Sequence, residues 1–149
     1  MKKRSGFTLL ELIIALAIGA LITSTVLLSA QGAERSQRDT RRRADVNKLS
    51  TALEQWADNN SGKYPVWGTD WSGTAGRFVS EGYWKAGSIN DPRPNGGNYS
   101  YAYGDPTCTN ISSTENAKIF YKNSNAGSPR DFTLKMCIEG GVYTLTSSQ

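Results

Sequence analysis

Residues 7–33 read FTLLELIIALAIGALITSTVLLSAQGA, and how this stretch is read decides the fold. Glu11 is its only charged residue, and it contains no proline. As a helix it would run about 40 Å, and the portion after Glu11 alone is long enough to cross a bilayer core. Ahead of it lie residues 1–6, MKKRSG, short, basic and ending in a small residue. A conventional secretory signal would pair a shorter apolar run with a small-x-small cleavage site at its far end. Here Gln31 spoils that pattern before Ala33, and Leu28 spoils it before Ala30.

Downstream, residues 34–60 are charged, rich in helix formers and free of Gly and Pro. Val46, Leu49, Leu53 and Trp56 recur at steps of three and four, one apolar stripe of a helix. Asn59, Asn60 and Gly62 are stop signals, and Pro65 opposes continuation. Gly19 and Gly32 weaken a helix by about 1 kcal/mol each without breaking it. One helix over residues 7–60 is expected, apolar first and amphipathic second, its far half packing Val46, Leu49, Leu53 and Trp56 onto a domain. Arg35, Arg38, Arg41, Arg42 and Arg43 form a basic run. They read as a solvated helix face with salt bridges to Glu34, Asp39 and Asp45 at helical spacing, in preference to a DNA contact.

Residues 61–98 turn to Gly, Trp, Asn, Pro and Ser, which predicts loops with one short helix near Gly76–Gly82. Trp67, Trp71 and Trp84 are expected to cover a thin core; the rival reading is a sugar-binding surface. Residues 99–149 read as strands. Tyr99, Tyr101 and Tyr103 alternate with small residues, 118–122 is a second strand, and Phe132, Leu134 and Met136 share one face of a third. Glu139-Gly140-Gly141 signals a tight turn into 142–146, hence an antiparallel hairpin.

The formal net charge is +4, from 17 basic and 13 acidic residues. Without Lys2, Lys3 and Arg4 the balance is 14 against 13, or +1, which gives no strong attraction to a polyanion. The absence of histidine removes the commonest general base and metal ligand, and no motif sets a nucleophile beside a base. An enzyme is not expected. Cys108 and Cys137 both follow the apolar segment, and export would favour a disulfide between them over two separate buried thiols.

Gly6-Phe7-Thr8-Leu9-Leu10-Glu11, behind a basic leader and ahead of a long apolar run, resembles the prepilin signature of type IV pilins, type II secretion pseudopilins and competence pilins. The resemblance continues more loosely through Ala52-Leu53, Trp56, Asn59-Asn60, Tyr64-Pro65 and Asn90-Asp91-Pro92. It implies an α+β pilin fold: a long N-terminal helix packed on a small antiparallel sheet. It also implies a leader over residues 1–6, a transmembrane and filament-core helix over 7–33, and a globular domain over 34–149. That domain divides into helix 34–60, loops 61–98 and sheet 99–149.

In this family a membrane peptidase cuts after the glycine and the new N-terminus is methylated. On this chain the cut falls between Gly6 and Phe7, and Phe7 becomes the methylated residue. Glu11 then neutralises the Phe7 amine of a neighbouring copy. The partners implied are copies of the chain, the prepilin peptidase, an assembly ATPase and a membrane platform protein. The prepilin would sit in the cytoplasmic membrane with its N-terminus inside, and later in an extracellular pilus.

Motility, adhesion, DNA uptake and protein secretion all use such subunits; an intact glutamate favours a major pilin over a minor one. The alternatives are a secretion or competence pseudopilin and, in another class, a single-pass anchored surface binding domain. Many relatives carry a proline midway along the apolar helix; this chain has none there, and Gly19 is its one soft spot. Major secretion pseudopilins often bind calcium near the sheet. Asp91, Asn95 and Asn98 are the candidate ligands, short of the roughly six to eight oxygens calcium takes, and no metal or cofactor is expected.

Overall fold

The computed structural model describes residues 7–93, 96–108, 118–123, 127 and 129–147. The leader with Gly6, and Asn95, lie outside the described residues. The chain divides into two compact units between Gln37 and Arg38, a few residues later than the boundary expected after Ala33.

Helix α1 (Leu9–Asn59, 51 residues) is unbroken, as expected for a stretch without proline. Its end is fixed by the stop residues. Asn59 Nδ2 donates to the Gln55 carbonyl (2.9 Å) and Asn60 Nδ2 to the Trp56 carbonyl (2.9 Å). Gly62 N–H closes on the Ala57 carbonyl at 2.8 Å, with Ser61 and Gly62 both at positive φ.

In the second unit the stripe is the core. Val46, Leu49 and Leu53 are fully buried and Trp56 nearly so, joined by Ala52 and Ala57. Removing each of these large side chains from water is worth about 1.5–3 kcal/mol. Helix α2 (Arg77–Ser80) is one short turn within the stretch expected to hold one, and it buries Phe78. Gly76 before it sits at φ 105°, and a Cβ there would run into the Asp70 carbonyl. The tryptophans do mainly what thin-core residues do. Trp71 and Trp84 are buried, Trp71 donates to the Gly73 carbonyl (2.8 Å), and Trp84 donates to the Tyr101 hydroxyl (3.0 Å).

Four strands follow: β1 (Ser100–Tyr103), β2 (Lys118–Lys122), β3 (Thr133–Ile138) and β4 (Gly141–Thr146), ordered β1-β2-β3-β4. The class is α+β, consistent with a pilin fold. β2–β3 and β3–β4 are antiparallel, the latter a hairpin turning at Glu139-Gly140. β1 and β2 are parallel, so the sheet is mixed and not antiparallel throughout. Residues 104–117 separate them, a connection long enough for a parallel crossover that a tight turn cannot make. Register brings Ile119 opposite Met136 and Tyr121 opposite Leu134, all buried on the face that carries the core.

Cys108 and Cys137 are joined, with Cα atoms 5.6 Å apart at a sequence separation of 29. In the chain-entropy view, closing such a loop stabilises by about 3–4 kcal/mol. Replacing both cysteines by serine is expected to lower unfolding free energy by about that amount, read from urea unfolding. A loss below about 1 kcal/mol would contradict it.

Three residues before Cys108, Asp105 bridges two strands, accepting from Lys122 on β2 (2.8 Å) and from Lys135 on β3. These two ammonium groups lower its pKa from 3.8 to about 2. A depressed folded-state pKa stabilises above the unfolded value, and that contribution fades as pH falls toward about 2. A carboxyl-carbon NMR titration is expected to find the Asp105 midpoint well below the ordinary carboxylate range; an ordinary midpoint would mean that the bridge does not form in solution.

Candidate functional site

The first unit is helical from Leu9, and its apolar side chains are outside. Phe7, Leu9, Leu10, Ile13, Leu16 and Leu21 are all more than half exposed, as are most of the larger apolar residues through Leu27. A window of 18 residues reaches a mean hydropathy of 2.4, with none of it buried within the chain. A bare apolar helix of this size is costly in water and suits lipid or other helices.

Its polar groups are arranged for an apolar setting. The Thr23 hydroxyl donates to the Gly19 carbonyl, Ser24 to Leu21 and Thr25 to Ile22, each at 2.8 Å. Each hydroxyl thus finds its partner within the helix itself. Within residues 7–33 only Glu11 is charged. It lies in the first turn, where the helix dipole favours an anion, and its backbone N–H donates to the Thr8 hydroxyl at 3.3 Å. Thr8-Leu9-Leu10-Glu11 is a capping-box spacing, with Thr8 starting the helix through the Leu12 N–H bond to its carbonyl (3.2 Å). Thr8 is a residue the sequence reading passed over, although the T-x-x-E spacing was there to be seen. The Glu11 side chain is exposed, and no cation pairs with it among the described residues. Phe7 lies four residues before it, outside the helix and 83% exposed.

Compared with known families, residues 1–27 match the prokaryotic N-terminal methylation motif. The chain carries the prepilin signature. Neither the curated proteins nor the solved structures offer a match. The signature supports a type IV pilin or pseudopilin-like prepilin, processed by prepilin peptidase and assembled into pilus-like filaments. The apolar helix fits membrane anchoring of that prepilin.

The remaining candidate residues lie in the second unit. Asp91 is fully buried, and its carboxylate is taken by cations. Arg42 Nη2 donates to it at 3.2 Å, Arg93 Nε at 2.8 Å and the Arg93 backbone N–H at 3.0 Å. Asn98, on the next stretch, forms a bridge with Asn90. Two guanidiniums thus neutralise Asp91, the acid among the three candidate ligands. Among the described residues no group of three or more Asp, Glu, His or Cys side chains is placed to hold a metal ion.

The basic run departs from expectation at Arg42. It is not on a solvated face but completely buried, held by Asp91, by Asp39 (3.1 Å) and by Glu139 (3.8 Å). Arg38 closes the cluster on Glu139 at 2.7 Å, and Asp39 accepts the Glu139 backbone N–H at 3.0 Å. The reason is helical phase: Arg42 stands four residues before Val46, on the buried stripe extended by one turn. The cluster ties α1, the Asp91 loop and the β3–β4 turn together. Beside it, burial pushes the Tyr99 hydroxyl pKa well up, with Asp45 and Asp91 adding to the rise and Arg42 opposing it. Arg43, one residue on, points outward and lies over the Tyr143 ring at 5.6 Å.

Proposed function

We propose that the chain is the structural subunit of a type IV pilus, a major pilin cut after Gly6, methylated on Phe7 and polymerised through its apolar helix. The observation that carries this is a bare apolar helix whose one charge, Glu11, sits four residues after Phe7. Cleavage creates an ammonium at Phe7. In an apolar filament core neither that ammonium nor the Glu11 carboxylate is tolerable alone, so pairing between neighbouring copies sets the register of the helices. Cohesion comes from helix surface leaving lipid, and the pair supplies specificity. An assembly ATPase and a membrane platform protein supply the work of extraction. The role is structural, not catalytic.

A pilus subunit is favoured over a calcium-dependent secretion pseudopilin because the Arg42 and Arg93 guanidiniums already neutralise Asp91. The test is cell fractionation with an antibody against the second unit. The chain is expected in the material sheared from cells, sedimenting as a polymer. Recovery only from membranes, as monomer, would replace this reading by the anchored binding domain.

A further inference from the structure

Trp67 differs from the other tryptophans at the surface-facing edge of the core. It is half-buried, and its indole N–H donates to no partner among the described residues, whereas those of Trp71 and Trp84 are both engaged. Trp71 supports it edge-on at 5.3 Å and Tyr121 in a stack at 6.2 Å. Tyr103, 48% exposed, lies 6.1 Å away at a shallow 33°. The Tyr103 hydroxyl is fixed by the Asn123 side-chain oxygen at 3.0 Å. Together with Val66 these residues line an open cleft of about 170 Å³, with no charged group among its described lining residues.

This cleft shares a lining residue with each of two others. Val66 also lines a cleft of about 370 Å³ with Trp56, Asn60 and Arg77, near the Asn59 end of α1. Asn123 also lines one of about 230 Å³ with Asp105, Lys122 and Lys135. Of the cations lining these two clefts, Lys63 in the larger has no ion pair among the described residues, and the other three are held internally. Lys122 and Lys135 sit on Asp105, and Arg77 sits on Glu81 (3.0 Å) and over the Trp56 ring (5.3 Å). Among the described residues the clefts thus present an aromatic floor with an unengaged indole N–H, amides and hydroxyls along it, and Lys63 as the one unpaired cation.

We infer that these three clefts together bind a neutral oligosaccharide, with one sugar ring stacked on Trp67 and Tyr103. A sugar offers a C–H face to an aromatic ring and hydroxyls to the indole N–H and the amides, without calling for a counter-charge. Three adjoining clefts suit a chain of linked rings better than a single ring. All of these residues lie within 38–149, so the inference stands apart from the filament reading.

The test is NMR of the full chain, indole N–H groups observed, in a detergent without a sugar headgroup. Glucose, maltotetraose, cellotetraose and chitotetraose are the probes. At least one tetrasaccharide is expected to shift the Trp67 signal with a dissociation constant of about a millimolar or tighter, glucose binding about tenfold more weakly. Read by calorimetry, since the first variant has no Trp67 indole to observe, Trp67→Ala and separately Tyr103→Ala should each weaken binding about tenfold. An unchanged indole signal from the buried Trp84, which packs on Tyr101, would show that each variant keeps its fold. The inference is overturned if no tetrasaccharide shifts Trp67, or if affinity is undiminished in both variants. It is equally overturned if an oligothymidine or a proline-rich peptide shifts Trp67 while the tetrasaccharides do not.

Discussion

Glu11→Ala is expected to leave the prepilin inserted, stable and cleavable, yet to cut sheared filament by at least about tenfold, since an unpaired charge in an apolar core costs several kcal/mol. Two roles are open to this residue, a helix start and the proposed pairing, and they need separating. Its backbone N–H completes the Thr8 cap, and its carboxylate has no cation partner among the described residues. The cap uses the backbone, and the favourable dipole interaction is worth only about 0.3–1 kcal/mol. Glu11→Gln is therefore the informative companion. It keeps the length, the cap N–H and most of the polarity but removes the charge. Assembly should fail with glutamine as it does with alanine. Normal filament yield in Glu11→Gln would show that Glu11 acts as a helix-start residue and that no amine awaits it. The readout is filament mass per cell against total chain.

Arg42→Met is expected to destabilise the second unit by about 3–5 kcal/mol, a large share of the roughly 5–15 kcal/mol typical of a domain. Methionine fills much of the same space, so the loss comes from charge and not from a cavity. Without Arg42, Asp91 remains fully buried with only Arg93, and Asp39 loses its 3.1 Å partner. Pairing Arg42→Met with Asp91→Asn should recover a good part of the loss, because it removes the stranded carboxylate. The double-mutant cycle then reads the coupling directly. Urea unfolding followed by tryptophan fluorescence suits the measurement, since Trp56 and Trp71 lie in the same core. A single-mutant loss under about 1 kcal/mol would mean the cluster is solvated and does not hold α1, the Asp91 loop and the β3–β4 turn together.

What could be read from the residues followed period and punctuation. The steps between Val46, Leu49, Leu53 and Trp56 located the buried stripe, and Asn59, Asn60 and Gly62 located the end of α1. Strand β2 and the Glu139-Gly140 turn were legible because β-branched and aromatic residues lie between clear turn signals. The parallel β1–β2 pairing was not legible. Strand direction depends on the path of a connection, and alternation along Tyr99–Tyr103 is the same for either direction. Arg42 was misread for a related reason. Charge type argued for solvent, whereas helical phase argued for burial, and three acids drawn from α1, a loop and a hairpin decided between them. Those acids are up to about a hundred residues away, so nothing local announces them. At the N-terminus the reverse held: leader, spacing and apolar run are local features, and the motif was legible entire.

The most direct test of the central claim is the intact mass and N-terminal peptide of the protein sheared from the cell surface. The account predicts a chain beginning at Phe7, carrying one added methyl group and the Cys108–Cys137 bond. A surface chain still beginning at Met1, or an unmethylated Phe7 in assembled filaments, would contradict it.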